Sequence, residues 1–140
     1  MKQIFLVEDD EEYSELVRLV LEQRGLSCKV AYTLAQARKR LATQRADLII
    51  LDGHLPDGSG LDLCAELRRD PRFAKAMIVI LTALRSVSGG ERWLQAGADT
   101  CWSKTRSGAR IGALVAGLMR RLASEAAEPG AHLHFSSQLS

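Results

Sequence analysis

Residues 48–60 read Leu48-Ile49-Ile50-Leu51-Asp52-Gly53-His54-Leu55-Pro56-Asp57-Gly58-Ser59-Gly60. Four consecutive apolar residues end on a carboxylate, and a turn-rich stretch follows. An unbroken apolar run, rather than an alternating one, suits a strand covered on both faces. Four more such runs lie along the chain: Ile4 to Val7, Ser27 to Tyr32, Met77 to Leu81 and a weaker one near Thr100 to Trp102. The segments between them carry helical spacing. Tyr13, Leu16, Val17 and Val20 form one stripe; Leu34, Ala37 and Leu41 form a second, opened by Thr33 as an N-cap. Leu61, Cys64, Ala65 and Leu67 form a third, and Ser86 to Ala96 is poorly patterned. Ile111, Leu114, Val115, Leu118 and Leu122 close the series. A strand followed by a helix, five times over, predicts parallel strands, right-handed crossovers and helices on both sides of one sheet. The fold class is doubly wound α/β.

The chain has 140 residues, of which 46% are hydrophobic and 26% charged. That is one domain with a real core, and two do not fit. Its 19 Lys+Arg against 17 Asp+Glu leave a net charge of +2. So small an excess gives no sequence-independent grip on nucleic acid or on a membrane surface. Three cysteines, Cys28, Cys64 and Cys101, are widely spaced without a CxxC pair, so neither a disulfide framework nor a zinc ribbon is encoded. Cys28 and Cys64 read as small core hydrophobes. No apolar run approaches the ~20 residues of a membrane span. The first run, Ile4 to Val7, leads straight into the acids Glu8 to Glu12, which is unlike a signal peptide. The expected location is the cytoplasm.

In a doubly wound sheet the functional crevice lies beyond the carboxyl ends of the strands. Polar residues follow the runs at that edge: Glu8, Asp9 and Asp10 after the first, Asp52 after the third, Thr82 after the fourth and Lys104 after the fifth. Singly, each has an ordinary reading as a helix-start acid or a turn residue. Together they converge on one place. Crowded carboxylates repel one another and resist ionisation unless a cation sits among them. Mg²⁺, held by a few carboxylates, a carbonyl, waters and phosphate oxygens, is the natural cation. One carboxylate free to attack, with a hydroxyl and an ammonium to meet phosphoryl oxygens, has the parts for transfer to a carboxylate.

Val7-Glu8-Asp9-Asp10, Leu51 through Gly60, Leu81-Thr82-Ala83, and Gly97-Ala98-Asp99 leading to Lys104 resemble the receiver domain of bacterial two-component response regulators. Four motifs stand in the right order over residues 3–122. The resemblance implies a flavodoxin-like, five-stranded parallel sheet of order 2-1-3-4-5 flanked by five helices, with the receiver over 1–125 and a C-terminal tail over 126–140. It also implies that Asp52 accepts a phosphoryl group from a sensor histidine kinase or phosphotransfer protein. Glu8, Asp9 and Asp52 would hold Mg²⁺, Glu8 through water, with the backbone carbonyl of His54 as a further ligand. Thr82 and Lys104 would meet the phosphoryl oxygens, and Asp10 would cap the first helix. Gly58 and Gly60 would supply permissive backbone angles before the third helix. The implied protein is a phosphoacceptor switch rather than a turnover enzyme. It would change the surface formed by the fourth helix, fifth strand and fifth helix for a downstream effector, without itself touching nucleic acid or membrane. The resemblance also admits a homodimer through the last helix.

The sequence departs from the family's usual pattern in places. Thr105, not Pro, follows Lys104; a cis bond without Pro costs roughly 3 kcal/mol, so a trans peptide and a less firmly fixed ammonium are expected. Cys101 stands where an aromatic switch residue is usual, with Trp102 beside it as a packed side chain. Leu84, two after Thr82, cannot orient an attacking water, which predicts a long-lived phosphoryl group. His54 reads as a solvated loop side chain. Because His54 stands two residues after Asp52, the second acid required by phosphatases of the haloacid dehalogenase type is lacking. Residues 131–140 are too few for an effector domain, although Leu133 to Ser136 alternate like a strand. Arg110 stands where the dimer face of winged-helix regulators would carry an acid. Two further readings remain open: the receiver portion of a longer DNA-binding transcriptional regulator, and a pseudo-receiver that is not phosphorylated.

Overall fold

The apolar runs become the strands of one parallel sheet. In the computed structural model, which describes residues 2–83, 87–104 and 107–126, the strands are β1 (Ile4–Val7), β2 (Cys28–Ala31), β3 (Leu48–Asp52), β6 (Met77–Thr82) and β7 (Thr100–Ser103). A short antiparallel ladder, β4 (His54–Leu55) with β5 (Gly58–Ser59), lies in the turn-rich stretch after β3. The helices are α1 (Glu11–Gln23), α2 (Leu34–Leu41), α3 (Gly60–Arg69), α4 (Val87–Gln95) and α5 (Gly108–Ala126), with a 3₁₀ turn at Pro71–Phe73. The main sheet runs β2-β1-β3-β6-β7, the expected 2-1-3-4-5 when its own five strands are counted. Ile4 stands opposite Cys28 on one side and Leu48 on the other; Leu48 pairs with Met77, and Val79 with Thr100.

Successive side chains of a strand point to opposite faces, so each continuous run feeds two cores. Phe5, Val7, Ile49, Leu51, Ile78 and Ile80 pack beneath α2, α3 and α4, meeting Ala37, Leu41, Leu63, Leu67 and Trp93. Ile4, Leu6, Leu48, Ile50, Val79 and Leu81 pack beneath α1 and α5, meeting Val17, Leu21, Ile111 and Val115. Each buried Val, Leu, Ile or Phe among them contributes about 1.5–3 kcal/mol by leaving water. Trp102 lies buried in the second core, as a packed side chain should, while Cys101 is half-buried toward the first. Cys28 and Cys64 are buried, and burial pushes their thiols up to about 12 and about 11, so both stay protonated core hydrophobes.

Local chemistry sets the helix starts. Asp10 caps α1, its Oδ1 accepting the Tyr13 N–H at 3.0 Å, with Glu11 and Glu12 in the first turn favoured by the dipole. Thr33 caps α2 as expected, its Oγ1 accepting the Gln36 N–H at 3.0 Å. The Asp57 carboxylate, from the stretch after β3, adds a second cap by accepting the Leu34 and Ala35 N–H groups at 2.8 and 2.9 Å. Ser59 caps α3 through the Leu61 N–H at 3.1 Å. The two loop glycines act differently from each other. Gly58 has φ +148, whereas Gly60 is required for space, since a Cβ there would collide with the Asp52 carbonyl oxygen. Among the described residues no helix is long and apolar enough to cross a membrane. Of the expected 126–140 tail only Ala126 is described; 127–140, with the Leu133 to Ser136 stretch, lie outside the described residues.

Candidate functional site

The residues that follow the strands meet at one edge of the sheet. β1 ends at Val7, and Glu8 turns inward, fully buried, while its neighbour Asp9 is exposed. β3 delivers Asp52, also buried, at its last position. Carboxylate oxygens of Glu8, Asp9 and Asp52 all lie within 4.8 Å of one another. Lys104, just past β7, is held by its N–H donating to the Thr82 carbonyl at 2.8 Å. Its ammonium bridges two of the acids: Nζ stands 2.8 Å from Glu8 Oε1 and 3.0 Å from Asp52 Oδ2.

Burial governs the charges here. Loss of hydration raises the Glu8 carboxyl from 4.5 to about 7, against the opposing pull of Lys104 and of the Asp10 N–H, which donates to Glu8 Oε2 at 2.9 Å. Lys104 shifts upward, because its hydrogen bonds to Glu8 and Asp52 outweigh its own desolvation. Three carboxylates against one ammonium leave the pocket short of positive charge. Hard carboxylate oxygens at this separation fit a hard divalent cation such as Mg²⁺.

Two more of the predicted residues, Thr82 and His54, adjoin this cluster. Thr82 is buried at the end of β6, one position past Leu81, which pairs with Asp52 across the sheet. His54 keeps its side chain exposed and donates its backbone N–H to Asp52 Oδ1 at 3.1 Å, so no second carboxylate stands two residues after Asp52. Leu84 and Thr105, which bear on phosphoryl lifetime and on the setting of Lys104, lie outside the described residues. Arg110 is exposed in the first turn of α5 and donates its N–H to the Ser107 hydroxyl at 3.1 Å.

Two aromatic residues near the site were not singled out as functional in the sequence. Tyr13 places its ring centroid 5.5 Å from the Lys104 ammonium. Trp93 from α4 closes over Gly53, the residue after Asp52, so that a Cβ there would stand 2.9 Å from the indole. The sequence marks Tyr13 only as a member of an apolar stripe, a signal that does not tell a leucine neighbour from an ammonium. For Trp93 there was none, since its neighbour is 40 residues away in the chain.

The family model of the response regulator receiver domain matches residues 4–116. The phosphate regulon transcriptional regulatory protein PhoB of Rhizobium meliloti is 36% identical over 125 residues, 89% of this chain and 55% of that protein. PhoB of Escherichia coli is 34% identical over 127 residues, 91% of this chain and 56% of that one. This chain thus spans about half the length of these curated relatives. Among solved structures, the signal receiver domain of a DNA binding response regulator from Colwellia psychrerythraea superposes with a TM-score of 0.78 at 23% identity, covering 89% of this chain and 99% of that one. A response regulator from Burkholderia pseudomallei, solved with a phosphorylated aspartic acid, calcium ion and citrate, gives 0.73 at 27% identity, covering 95% and 78%.

Proposed function

Because this chain belongs to the response regulator receiver family, we propose that it is a phosphorylation-controlled switch in which Asp52 accepts a phosphoryl group from a phosphohistidine of a sensor kinase or phosphotransfer protein. The observation that carries the reading is the Lys104 ammonium lodged between Glu8 and Asp52, with Asp9 completing the acidic cluster. In transfer, an Asp52 carboxylate oxygen forms a bond to phosphorus as the phosphorus–nitrogen bond of the donor breaks. The electron pair leaves with the imidazole nitrogen, which takes up a proton. Mg²⁺ held by Asp9, Asp52, the His54 carbonyl and, through water, Glu8 would supply charge neutralisation on the phosphoryl oxygens. Lys104 and Thr82 then meet the new dianion, and the Lys104 ammonium exchanges a carboxylate partner for a phosphoryl one.

The phosphorylated aspartic acid and cation named for the Burkholderia pseudomallei regulator support the same chemistry at this cluster. The switch acts in the cytoplasm, assists its own phosphorylation and slow dephosphorylation, and turns over no substrate. Its output runs through an effector that reads the altered surface of α4, β7 and α5. A second reading, the receiver portion of a longer DNA-binding regulator, is favoured by relatives described as transcriptional regulators, of which the match covers only 55% and 56%.

Incubating the protein with a small phosphodonor and Mg²⁺, followed by intact mass, tests the central step. Wild type gains one phosphoryl group and Asp52→Asn gains none. No gain in wild type, or an equal gain in Asp52→Asn, overturns the proposal and leaves the pseudo-receiver reading.

A further inference from the structure

Among the described residues, the Lys104 ammonium meets two carboxylates and one aromatic ring. Glu8 and Asp52 hold the ammonium by ion pairs of 2.8 and 3.0 Å; the third neighbour is the ring of Tyr13, with its centroid 5.5 Å from Nζ. That distance lies inside the range of a cation–π contact, and the ammonium is partly desolvated, which strengthens it. Tyr13 is set by α1: Asp10 accepts its backbone N–H, which fixes the first turn and aims the side chain back over the end of β1. The Tyr13 hydroxyl is buried and has no hydrogen-bond partner among the described residues, so the face of the ring, rather than the oxygen, is what Lys104 meets.

The two ionic partners are the groups whose state changes in the proposed reaction. One Asp52 carboxylate oxygen becomes bonded to phosphorus, and Glu8 would be engaged by the cation through water. The ring takes no part in the bond changes and carries no charge that they alter. We infer that Tyr13 is a positioning residue for Lys104, its ring face holding the ammonium beside Asp52 before, during and after phosphoryl transfer. This role rests on the proposed part played by Lys104; the contact itself does not. Leucine at position 13 keeps a smaller apolar side chain without a quadrupole, and phenylalanine keeps the quadrupole while removing only an unpaired hydroxyl.

The test has two arms. In metal-free, unphosphorylated protein, NMR of the Lys104 ε-methylene protons reads the ring current directly. An upfield shift is expected in wild type and in Tyr13→Phe and should vanish in Tyr13→Leu. In the second arm, Asp52 phosphorylation by a small phosphodonor with Mg²⁺ is followed in wild type, Tyr13→Phe, Tyr13→Leu, Lys104→Met and the Tyr13→Leu/Lys104→Met pair. Tyr13→Leu should be about threefold to tenfold slower than wild type, Tyr13→Phe should restore most of the rate, and Tyr13→Leu should slow Lys104→Met no further. A wild-type rate in Tyr13→Leu, or an undiminished effect of that change on Lys104→Met, overturns the inference. If wild type takes no phosphoryl group, the phosphoacceptor reading fails and the NMR arm alone decides, a Lys104 shift that ignores Tyr13→Leu overturning the contact.

Discussion

Glu8 is the residue whose environment most opposes its ordinary chemistry. Its carboxyl is raised from 4.5 to about 7 by burial, so between those values the folded protein holds a proton that the unfolded chain has released. Stability then falls as pH rises through this window, the reverse of a salt-bridged surface acid. In metal-free protein, Glu8→Gln should therefore gain on wild type as pH goes from 5 to 8, by on the order of 2 kcal/mol at the upper end. Urea denaturation of both proteins in EDTA at several pH values measures this, and a constant difference would remove burial as the cause. Much at this scale was legible from the chain: Glu8, Asp9, Asp52, Thr82 and Lys104 each follow an apolar run, and parallel strands bring such positions to one edge. Burial was not legible, since adjacent Glu8 and Asp9 look alike in sequence yet one is enclosed and the other exposed. Nor was the place of Tyr13, because an aromatic residue on an apolar stripe reads the same whether it meets leucines or an ammonium.

At the scale of elements, the strands were read within a residue or two, because unbroken β-branched and leucine runs have few other uses. The α1 stripe was read less well. Leu16, placed there with Val17, is 48% exposed, while Ser14 is buried. The reason is how closely α1 and α5 approach. Gly108 and Gly112 of α5 present bare backbone to Leu16 and Val20, so those side chains lie against a helix rather than within the sheet core. A Cβ on Gly112 would stand 2.7 Å from the Val20 Cβ, too near without separation of the two helices. Gly112→Ala should therefore destabilise by about 1–3 kcal/mol despite alanine's intrinsic helical advantage of about 1 kcal/mol. Equilibrium unfolding by circular dichroism gives the sign, and a stabilised variant would mean that the helices shift apart freely. The β4–β5 ladder and the Pro71–Phe73 turn escaped the reading because elements of two or three residues have too few positions to show a period.

The whole molecule consists of two apolar layers sharing one sheet, with an acidic cluster at the edge where both layers end. Each layer carries one of the chain's two tryptophans: Trp93 under α2, α3 and α4, Trp102 under α1 and α5. Since every central strand contributes alternate side chains to both layers, neither layer can melt and leave the other intact. Trp93→Phe and Trp102→Phe, each leaving a single tryptophan, should therefore show fluorescence transitions that coincide with the loss of helix in the same variant. The cluster adds a second expectation at this scale. A cation that binds only the folded arrangement stabilises all of it, by roughly 2.7 kcal/mol at one hundred times its dissociation constant. Saturating Mg²⁺ should thus move both transitions upward together. Asp9→Asn, which removes one charge from the crowded cluster, should leave the metal-free midpoint no lower than that of wild type and abolish most of that shift. A Mg²⁺ shift that survives Asp9→Asn would locate the binding elsewhere, and a shift seen by only one tryptophan would show that the two layers are not coupled through the sheet.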